Sequence, residues 1–357
     1  MRLAAVMLPN WMGSNKVVMR VHRESIEVIV GEAEQTCRCK LFDKRVCARA
    51  ERSAGRAPLV EAEAETIQSL PDSEGSAMLA YRHAFHAGNH ADVLKHITLV
   101  RVLRYMNLKD KPYRVIDTHA GAGGYSLEGR FAQKKGEFEQ GVLRLWERDD
   151  LPEFVADYMQ LVRQFNPDGM LEQYPGSPAF AQMLLRAQDQ LRLFELHPTD
   201  HRILASYIGE LKGAEVYDKD GFDGLKGQVP PSTKRAVVLM DPSYEGRGDY
   251  GRVIASLREA ILRFPDGVYG VWYPQVNKLE AAQLPKRLEA LAPKGWLHAR
   301  LTVQQPDSQG FGLAGSGMFI INPPFTLHDD LLAVLPYLTE VLGQYDGANY
   351  LLEQRVA

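Results

Sequence analysis

Apolar positions along this chain fall into two rhythms. Short unbroken runs, too short for helices, recur at Val115–Ile116, Leu191–Phe194, Ala236–Met240, Gly267–Pro274, Trp296–Val303 and Gly317–Ile321. Between them lie longer stretches whose apolar residues return every three or four positions. From Asn89, a good helix cap, Val93, Ile97, Val100 and Leu103 share one helical face. Gly141–Trp146, Pro152–Phe165, Pro198–Lys212, Lys278–Leu291 and residues 328–344 also read as helices. Strands alternating with helices predict an α/β sheet whose strands are buried on both faces.

The organising stretch is Arg114–Tyr125. An apolar run ends in Asp117 and opens into a loop containing Gly121, Gly123 and Gly124. That is the layout of a first parallel strand entering a turn where backbone meets a ligand closely. A dinucleotide fold places a ribose-binding acid about 20 residues farther on. Here none follows a strand until Glu195, so residues 127–175 read as an inserted small helical subdomain. Ser177 is expected to cap the helix that follows, with Pro178 at its first position. Glu195, at a strand's carboxyl end, suits the two hydroxyls of a ribose, and Asp220-Gly221 closes a further short strand from Glu215.

The chemistry is carried by Asp241-Pro242-Ser243-Tyr244, delivered by the buried run Ala236–Met240. This resembles the Asp-Pro-Pro-Tyr signature of amino-group methyltransferases, with Ser243 in place of the second proline. The residue types fit the task. An exocyclic amine conjugated to a ring is a poor nucleophile, and a carboxylate plus the Pro242 carbonyl can hold its two N–H groups. The carboxylate also offsets positive charge developing on nitrogen, and Tyr244 offers a stacking face for the base. Asn322-Pro-Pro-Phe325 fits the same pattern but follows Met318–Ile321, read as the last strand, and is taken as that strand's exit. The loop Glu245–Asp249 is expected to close over a bound base.

Composition narrows the setting. Across 357 residues the net charge is -3, so any nucleic-acid contact must come from a local basic patch, with Arg82, Arg101, Arg104, Arg130, Lys134 and Lys135 as candidates. The three cysteines, Cys37, Cys39 and Cys47, make neither a disulfide framework nor a four-ligand zinc site, and point to a reducing cytoplasm. No apolar run is long enough to span a membrane. Residues 1–77 lack the periodicity of the rest, apart from possible strands at Lys16–His22 and Ile26–Val30. They are expected to be an N-terminal extension, poorly ordered or upstream of a true start at Met78. His83, His86, His90 and His96 lack the spacing of a familiar metal site and are read as the wall of a polar pocket.

Five motifs in order, Tyr81–His96, Asp117–Gly123, Tyr174–Pro178, Glu195–Pro198 and Asp241–Tyr244, closely resemble the RlmJ family of bacterial 23S ribosomal RNA adenine-N6 methyltransferases. The resemblance runs from Met78 almost to the C terminus. It implies a Rossmann-like class I S-adenosylmethionine-dependent methyltransferase sheet with helices on both faces. It implies that Lys95, His96, His119 and Ser177 line the cofactor's methionine end, with Gly121 and Gly123 also binding the cofactor. Glu195 would hold its ribose, and Asp220 and Gly221 its adenine. Asp241, Pro242 and Tyr244 would be catalytic, and Tyr81, His83 and Tyr244 would meet the target nucleotide. No metal is implied. The partner would be protein-free 23S rRNA, met by a cytoplasmic monomer. The rival readings are a DNA adenine-N6 methyltransferase, against which the lack of an evident DNA-recognition domain counts, and a cofactor-sensing RNA-binding module without turnover. A nicotinamide oxidoreductase leaves Asp241–Tyr244 unexplained.

Overall fold

A computed structural model describes the backbone of residues 17–22, 25–30 and 37–40, and residues 83, 86–128, 136–246, 248–305 and 312–356. The chain divides into two units, Met1–Pro71 and Asp72–Ala357. In the first, β1 (Val17–His22), β2 (Ser25–Val30) and β3 (Cys37–Lys40) form one antiparallel sheet in chain order. The first two are the strands expected there, and β3 had no periodic signal. Cys47, Tyr81, Arg82 and the basic residues Arg130, Lys134 and Lys135 lie outside the described residues.

The second unit is built on an eight-stranded sheet. Its strands are β4 (Arg114–Asp117), β7 (Gln190–Phe194), β8 (Ala214–Tyr217), β9 (Ala236–Met240), β10 (Val268–Gln275), β11 (Gly295–Thr302), β12 (Gly315–Ile321) and β13 (Asn349–Val356). They lie in the order β13-β11-β12-β10-β9-β4-β7-β8. The run β10-β9-β4-β7-β8 is parallel, whereas β12 is antiparallel to both β10 and β11, and β13 is antiparallel to β11. This is a doubly wound, Rossmann-like sheet, with order reversing between β4 and β9. β13 went unforeseen, so the strand ending at Ile321 is not the last. The short pair β5 (Gly124–Ser126) and β6 (Gln173–Pro175) was also missed.

The unbroken apolar runs follow from burial on two sides, because successive side chains of a strand point to opposite faces. On β9, Val237 and Leu239 join one core while Ala236, Val238 and Met240 join the other. β12 divides likewise, Met318 and Ile320 from Phe319 and Ile321. The first core is covered by α1 (His90–Asn107), α3 (Glu153–Phe165), α4 (Ser177–Leu184), α5 (Pro198–Ile208) and α9 (Leu327–Leu342). The second is covered by α6 (Gly221–Gln228), α7 (Asp249–Arg263) and α8 (Leu279–Glu289). The stretch 127–175, expected as an insertion, holds a 3-10 turn at Glu137–Gln140, the short α2 (Leu143–Trp146), α3 and β6, with β5 just before it and α4 just after.

Helix α1 decides where the site can form. Fourteen of its eighteen residues are buried, so it is enclosed rather than amphipathic, packed on β10 and β12 with α3, α4 and α9 around it. The one-face reading from Val93, Ile97, Val100 and Leu103 captured only part of this. Its start is set by Asn89, whose side chain accepts from the Ala91 and Asp92 N–H groups at 3.0 Å and donates to Glu137 Oε2 at 3.0 Å. We predict that Asn89→Ala lowers unfolding free energy by about 1–2 kcal/mol and that Asn89→Ser restores most of it. Equal denaturant midpoints for parent and Asn89→Ala would contradict this role for the cap.

Candidate active site

Four parallel strands end at one edge of the sheet. β4 delivers Asp117-Thr118-His119, β7 delivers Glu195, the turn after β8 delivers Asp220-Gly221, and β9 delivers Asp241-Pro242. Lys95 and His96 of α1 and Ser177 of α4 reach the same place. All of these except the buried Asp117, with Gly121 and His83, line a single cavity at the point where strand order reverses. An open α/β sheet forms its ligand crevice there, because the loops diverge to opposite faces.

The cavity floor is an ion cluster. Lys95 Nζ donates to Asp241 Oδ2 at 2.5 Å and lies 2.7 Å from Asp92 Oδ1. Asp92 Oδ2 accepts from the Gly88 N–H at 2.9 Å and is 2.9 Å from His83 Nε2. Lys95 and Asp92 are almost wholly buried, so neither charge could persist without the other. Burial pulls the Lys95 ammonium down, yet Asp241 and Asp92 together hold it above the ordinary lysine range. Burial likewise works against the Asp92 carboxylate, and His83 and Lys95 hold it well below its usual value. Lys95 thus touches the carboxylate expected to be catalytic.

The two histidines of the wall are neutral for one reason. Burial pushes His119 down to about 4, against the pull of Asp241 and Asp220. Burial and then Lys95 push His96 well below the ordinary imidazole value. His96 Nδ1 lies 2.7 Å from the Tyr174 hydroxyl, itself 3.0 Å from that of Tyr158. His86 faces Glu137 at 2.8 Å and His90 is enclosed in the core. Of the four histidines, His83 and His96 reach the cavity and the other two do not.

Ser177 differs from its expected role. Gly176 occupies the cap position of α4 in extended conformation and Ser177 is already inside the helix. Its hydroxyl instead donates to Asp117 Oδ2 at 2.6 Å, while Asp117 Oδ1 accepts from the His119 N–H at 3.2 Å. Inside the helix the hydroxyl no longer stands at the cap position, and its proton goes to the carboxylate, the strongest acceptor within reach. Asp220 also differs: it does not close a strand but caps α6, accepting from the Phe222 N–H at 2.9 Å. Arg252, which had no sequence signal, donates to Asp220 Oδ2 at 2.8 Å and lies over the Phe222 ring.

Glu195 accepts from the Gly121 N–H at 2.8 Å and the His197 N–H at 2.6 Å. Burial raises its pKa and these two bonds oppose the rise. A carboxylate has about four lone-pair sites, so acceptor capacity remains on the cavity side. Gly121 has φ +63, and a Cβ on Gly221 would stand 1.9 Å from the Thr118 carbonyl oxygen. Both positions therefore select glycine on backbone grounds. Gly123 does not line the cavity; its carbonyl accepts from the Gly176 N–H at 2.9 Å and holds the loop from behind.

The turn after β9 is held on several sides. Tyr244 adopts φ +55, its hydroxyl donates to the Trp272 carbonyl at 2.7 Å, and its ring lies 4.5 Å from Tyr250. At 2% exposure that ring belongs to the wall and is not among the cavity-lining groups. Lys278 Nζ donates to the Tyr244 carbonyl at 3.2 Å. Ser243 lines the cavity. The competing Asn322-Pro-Pro-Phe325 sits elsewhere. β12 runs antiparallel, so Ile321 pairs with Tyr269 near the start of β10, at the opposite edge from Asp241. Asn322 there donates to the Pro265 and Gly267 carbonyls. Arg101 and Arg104, of the proposed basic patch, are engaged by Asp330 and Asp157.

Burial raises the Asp117 carboxyl to about 6, against the Ser177 and His119 hydrogen bonds. The folded chain therefore holds this proton more tightly than the unfolded chain. The stability it contributes is greatest below about pH 4 and declines as pH rises to about 6. We predict that Asp117→Asn removes this decline. The unfolding free energy of the variant relative to the parent should climb by about 2–3 kcal/mol between these pH values. Parallel curves across that window would sink the assignment.

The comparisons with known proteins agree with this geometry. The family described as RsmJ: Ribosomal RNA large subunit methyltransferase D, RlmJ, matches residues 110–353. The chain is 44% identical over 261 residues to the ribosomal RNA large subunit methyltransferase J of Escherichia coli (strain K12), covering 73% of this chain and 93% of that protein. It is 43% identical over 277 residues to the protein of the same name from Haemophilus influenzae, covering 77% and 98%. The crystal structure of protein LPL1258 from Legionella pneumophila superposes with a TM-score of 0.69 at 36% identity, covering 75% of this chain and 98% of that one. By the family match and the identity to both of these relatives, this chain belongs to the RlmJ family.

Proposed function

We propose that this protein transfers a methyl group from S-adenosylmethionine to the exocyclic N6 of an adenine in 23S ribosomal RNA, acting as a cytoplasmic monomer on RNA free of ribosomal proteins. The observation that carries the reading is that Asp241 opens into the same cavity as Glu195 and Asp220. One carboxylate serves the reacting nitrogen and two serve the nucleoside part of a cofactor. Membership of the RlmJ family supports the same reading. Among the described residues, no helix is long and apolar enough to cross a membrane.

The residues present fit the cofactor. Glu195 keeps acceptor capacity for a ribose diol, and Asp220 together with the Phe222 wall suits an adenine with its amino group. When bound, S-adenosylmethionine supplies an electrophilic methyl on a sulfonium. Neutral His119 and His96 add no repulsion to that positive centre. Lys95 would add some, but Asp92 and Asp241 compensate its charge.

Asp241 acts as acceptor and charge stabiliser. Lys95 occupies its Oδ2, which leaves Oδ1 for one N6–H while the Pro242 carbonyl takes the other. The nitrogen lone pair then turns out of conjugation, toward the methyl group. Because Lys95 neutralises part of its charge, Asp241 is suited to holding a proton in place rather than removing it before attack. In-line placement of the two reactants can supply up to about 7–11 kcal/mol of barrier lowering. His83 lines the cavity and would meet the target nucleotide there; Tyr81, outside the described residues, is the other side chain assigned to that contact. Tyr244 holds the turn from behind, and stacking on its ring would require the 243–246 turn to reshape around the base.

The test offers the full chain radiolabelled S-adenosylmethionine with protein-free 23S RNA, 16S RNA, assembled large subunits and duplex DNA in parallel. Label recovered as N6-methyladenosine from protein-free 23S RNA is the expected result, and label confined to DNA would overturn it. Asp241→Asn should reduce kcat by about 10²–10³-fold while RNA binding persists. Unchanged turnover in that variant would remove Asp241 from the chemistry. Glu195→Gln should weaken cofactor binding about tenfold with little change in kcat at saturation.

A further inference from the structure

A second cavity lies on the α8 side of the sheet, walled by β10, β11 and the start of α8 through Tyr273, Gln275, Asn277, Ala281, Pro285 and Arg300. The catalytic cavity does not include it. β10 runs parallel to β9, and β11 has the same direction because both are antiparallel to β12. The carboxyl ends of β10 and β11 therefore open on the same edge as Asp241. With neighbouring strands about 4.8 Å apart, this cavity begins roughly one strand spacing from β9.

Its chemistry is unbalanced. Arg300 is the only charged side chain among the described residues of the wall. It is partly buried, and among the described residues it has neither a carboxylate nor a hydrogen-bond acceptor; its Nε is fully enclosed without a partner. Its neighbours do not compensate it. Tyr273 and His298 are bonded to each other at 2.6 Å, and burial, with Arg300 adding to it, keeps His298 neutral with a pKa of about 4. The Gln275 amide is engaged too, donating to the Leu301 and Ser316 carbonyls and accepting from Thr302. Leaving a buried donor unmet is unfavourable by about 1–3 kcal/mol. A guanidinium held half out of water beside an open cavity is suited to an anion that offers a pair of acceptor oxygens to its planar fork, such as a phosphodiester.

The cavity is also tied to the reaction centre. Val276 and Asn277 line it, and the next residue, Lys278, donates to the carbonyl of Tyr244 in the turn that carries Asp241. One short loop thus has the second cavity on one side and the catalytic turn on the other.

We propose that this cavity is a subsite for a backbone phosphate of the substrate RNA, close in the strand to the target adenine, with Arg300 as its anion-binding group. The proposal rests on RNA being the substrate. The phosphate contact fixes the register of the strand and carries no base information. Through Val276–Lys278 the occupied subsite steadies the catalytic turn.

The experiment compares the full chain with Arg300→Ala and Arg300→Lys, using protein-free 23S RNA and varied salt. Arg300→Ala should raise the KM and Kd for RNA about tenfold. The slope of log affinity against log salt should fall by about one ion. S-adenosylmethionine binding should stay at the parental value, which shows that the variant is folded. Arg300→Lys should recover the salt slope but only part of the affinity, because an ammonium lacks the planar fork. Parental RNA affinity and salt slope in Arg300→Ala, with the parent methylating 23S RNA normally, would overturn the subsite alone. A parent that neither binds nor methylates RNA would overturn the substrate reading, and the subsite with it. Inorganic phosphate raising the parent's thermal midpoint in an Arg300-dependent way, without any change in RNA salt slope, would make this a small-anion site and also overturn the proposal.

Discussion

The ammonium of Lys95, buried between Asp92 and Asp241, is the contact on which the arrangement of the site depends. A lysine inside a protein keeps its charge only where carboxylates replace the water it has lost. That requirement draws the first turns of α1 under the carboxyl end of β9, two segments 146 residues apart in sequence. Asp92 is in turn held by the Gly88 amide and faces His83. The helix start capped by Asn89 and the turn that carries Asp241 are consequently one electrostatic unit. It also explains how α1 can be buried on every side and still carry charged groups: Asp92 and Lys95 meet each other, His83 and Asp241 at its N-terminal end.

The rest of the cavity follows a different rule, that of charge withheld. His96 and His119 are enclosed tightly enough to remain neutral, and Asp117 sits close to half-protonation at mildly acidic pH because burial outweighs its two hydrogen bonds. Glu195 stays partly exposed, and two backbone amides support it as an acceptor. Carboxylates are thus concentrated at Asp241 on one side of the cavity and at Glu195 and Asp220 on the other. Between them His96 and His119 leave the wall polar but uncharged, as the proposed placement of a sulfonium there requires.

Strand direction separates true from false likenesses. Asp241-Pro-Ser-Tyr and Asn322-Pro-Pro-Phe are near equals as strings, and the second is closer to the methyltransferase signature. β9 is parallel to its neighbours and β12 is antiparallel, so their carboxyl ends lie at opposite edges of the sheet. Only the first opens into the ligand crevice. The same polarity brings Arg300 of β11 to the catalytic edge, although two strands stand between β11 and β9.

Local patterning by itself determined much of this protein. Unbroken apolar runs marked β4, β7, β9, β10, β11 and β12 to within a residue or two, because a strand buried on both faces has no polar alternation to blur it. Asn89 and the glycines after Asp117 were legible for equally local reasons, a cap and a backbone turn. The tertiary structure alone decided what side chains do once distant segments meet. Ser177 reads as a cap in sequence, yet its hydroxyl goes to Asp117, 60 positions away. Asp220 reads as the end of a strand and proves to be a helix cap bonded to Arg252. Tyr244 reads as an exposed ring and is packed against Tyr250 and Trp272. β13 was hidden because its largely exposed residues lack a buried face, and only pairing with β11 makes it a strand. Propensity and capping act within a few residues and leave their trace in sequence order. Burial, pKa and hydrogen-bond competition depend on which segments the sheet brings together, and that is settled only when the chain is folded.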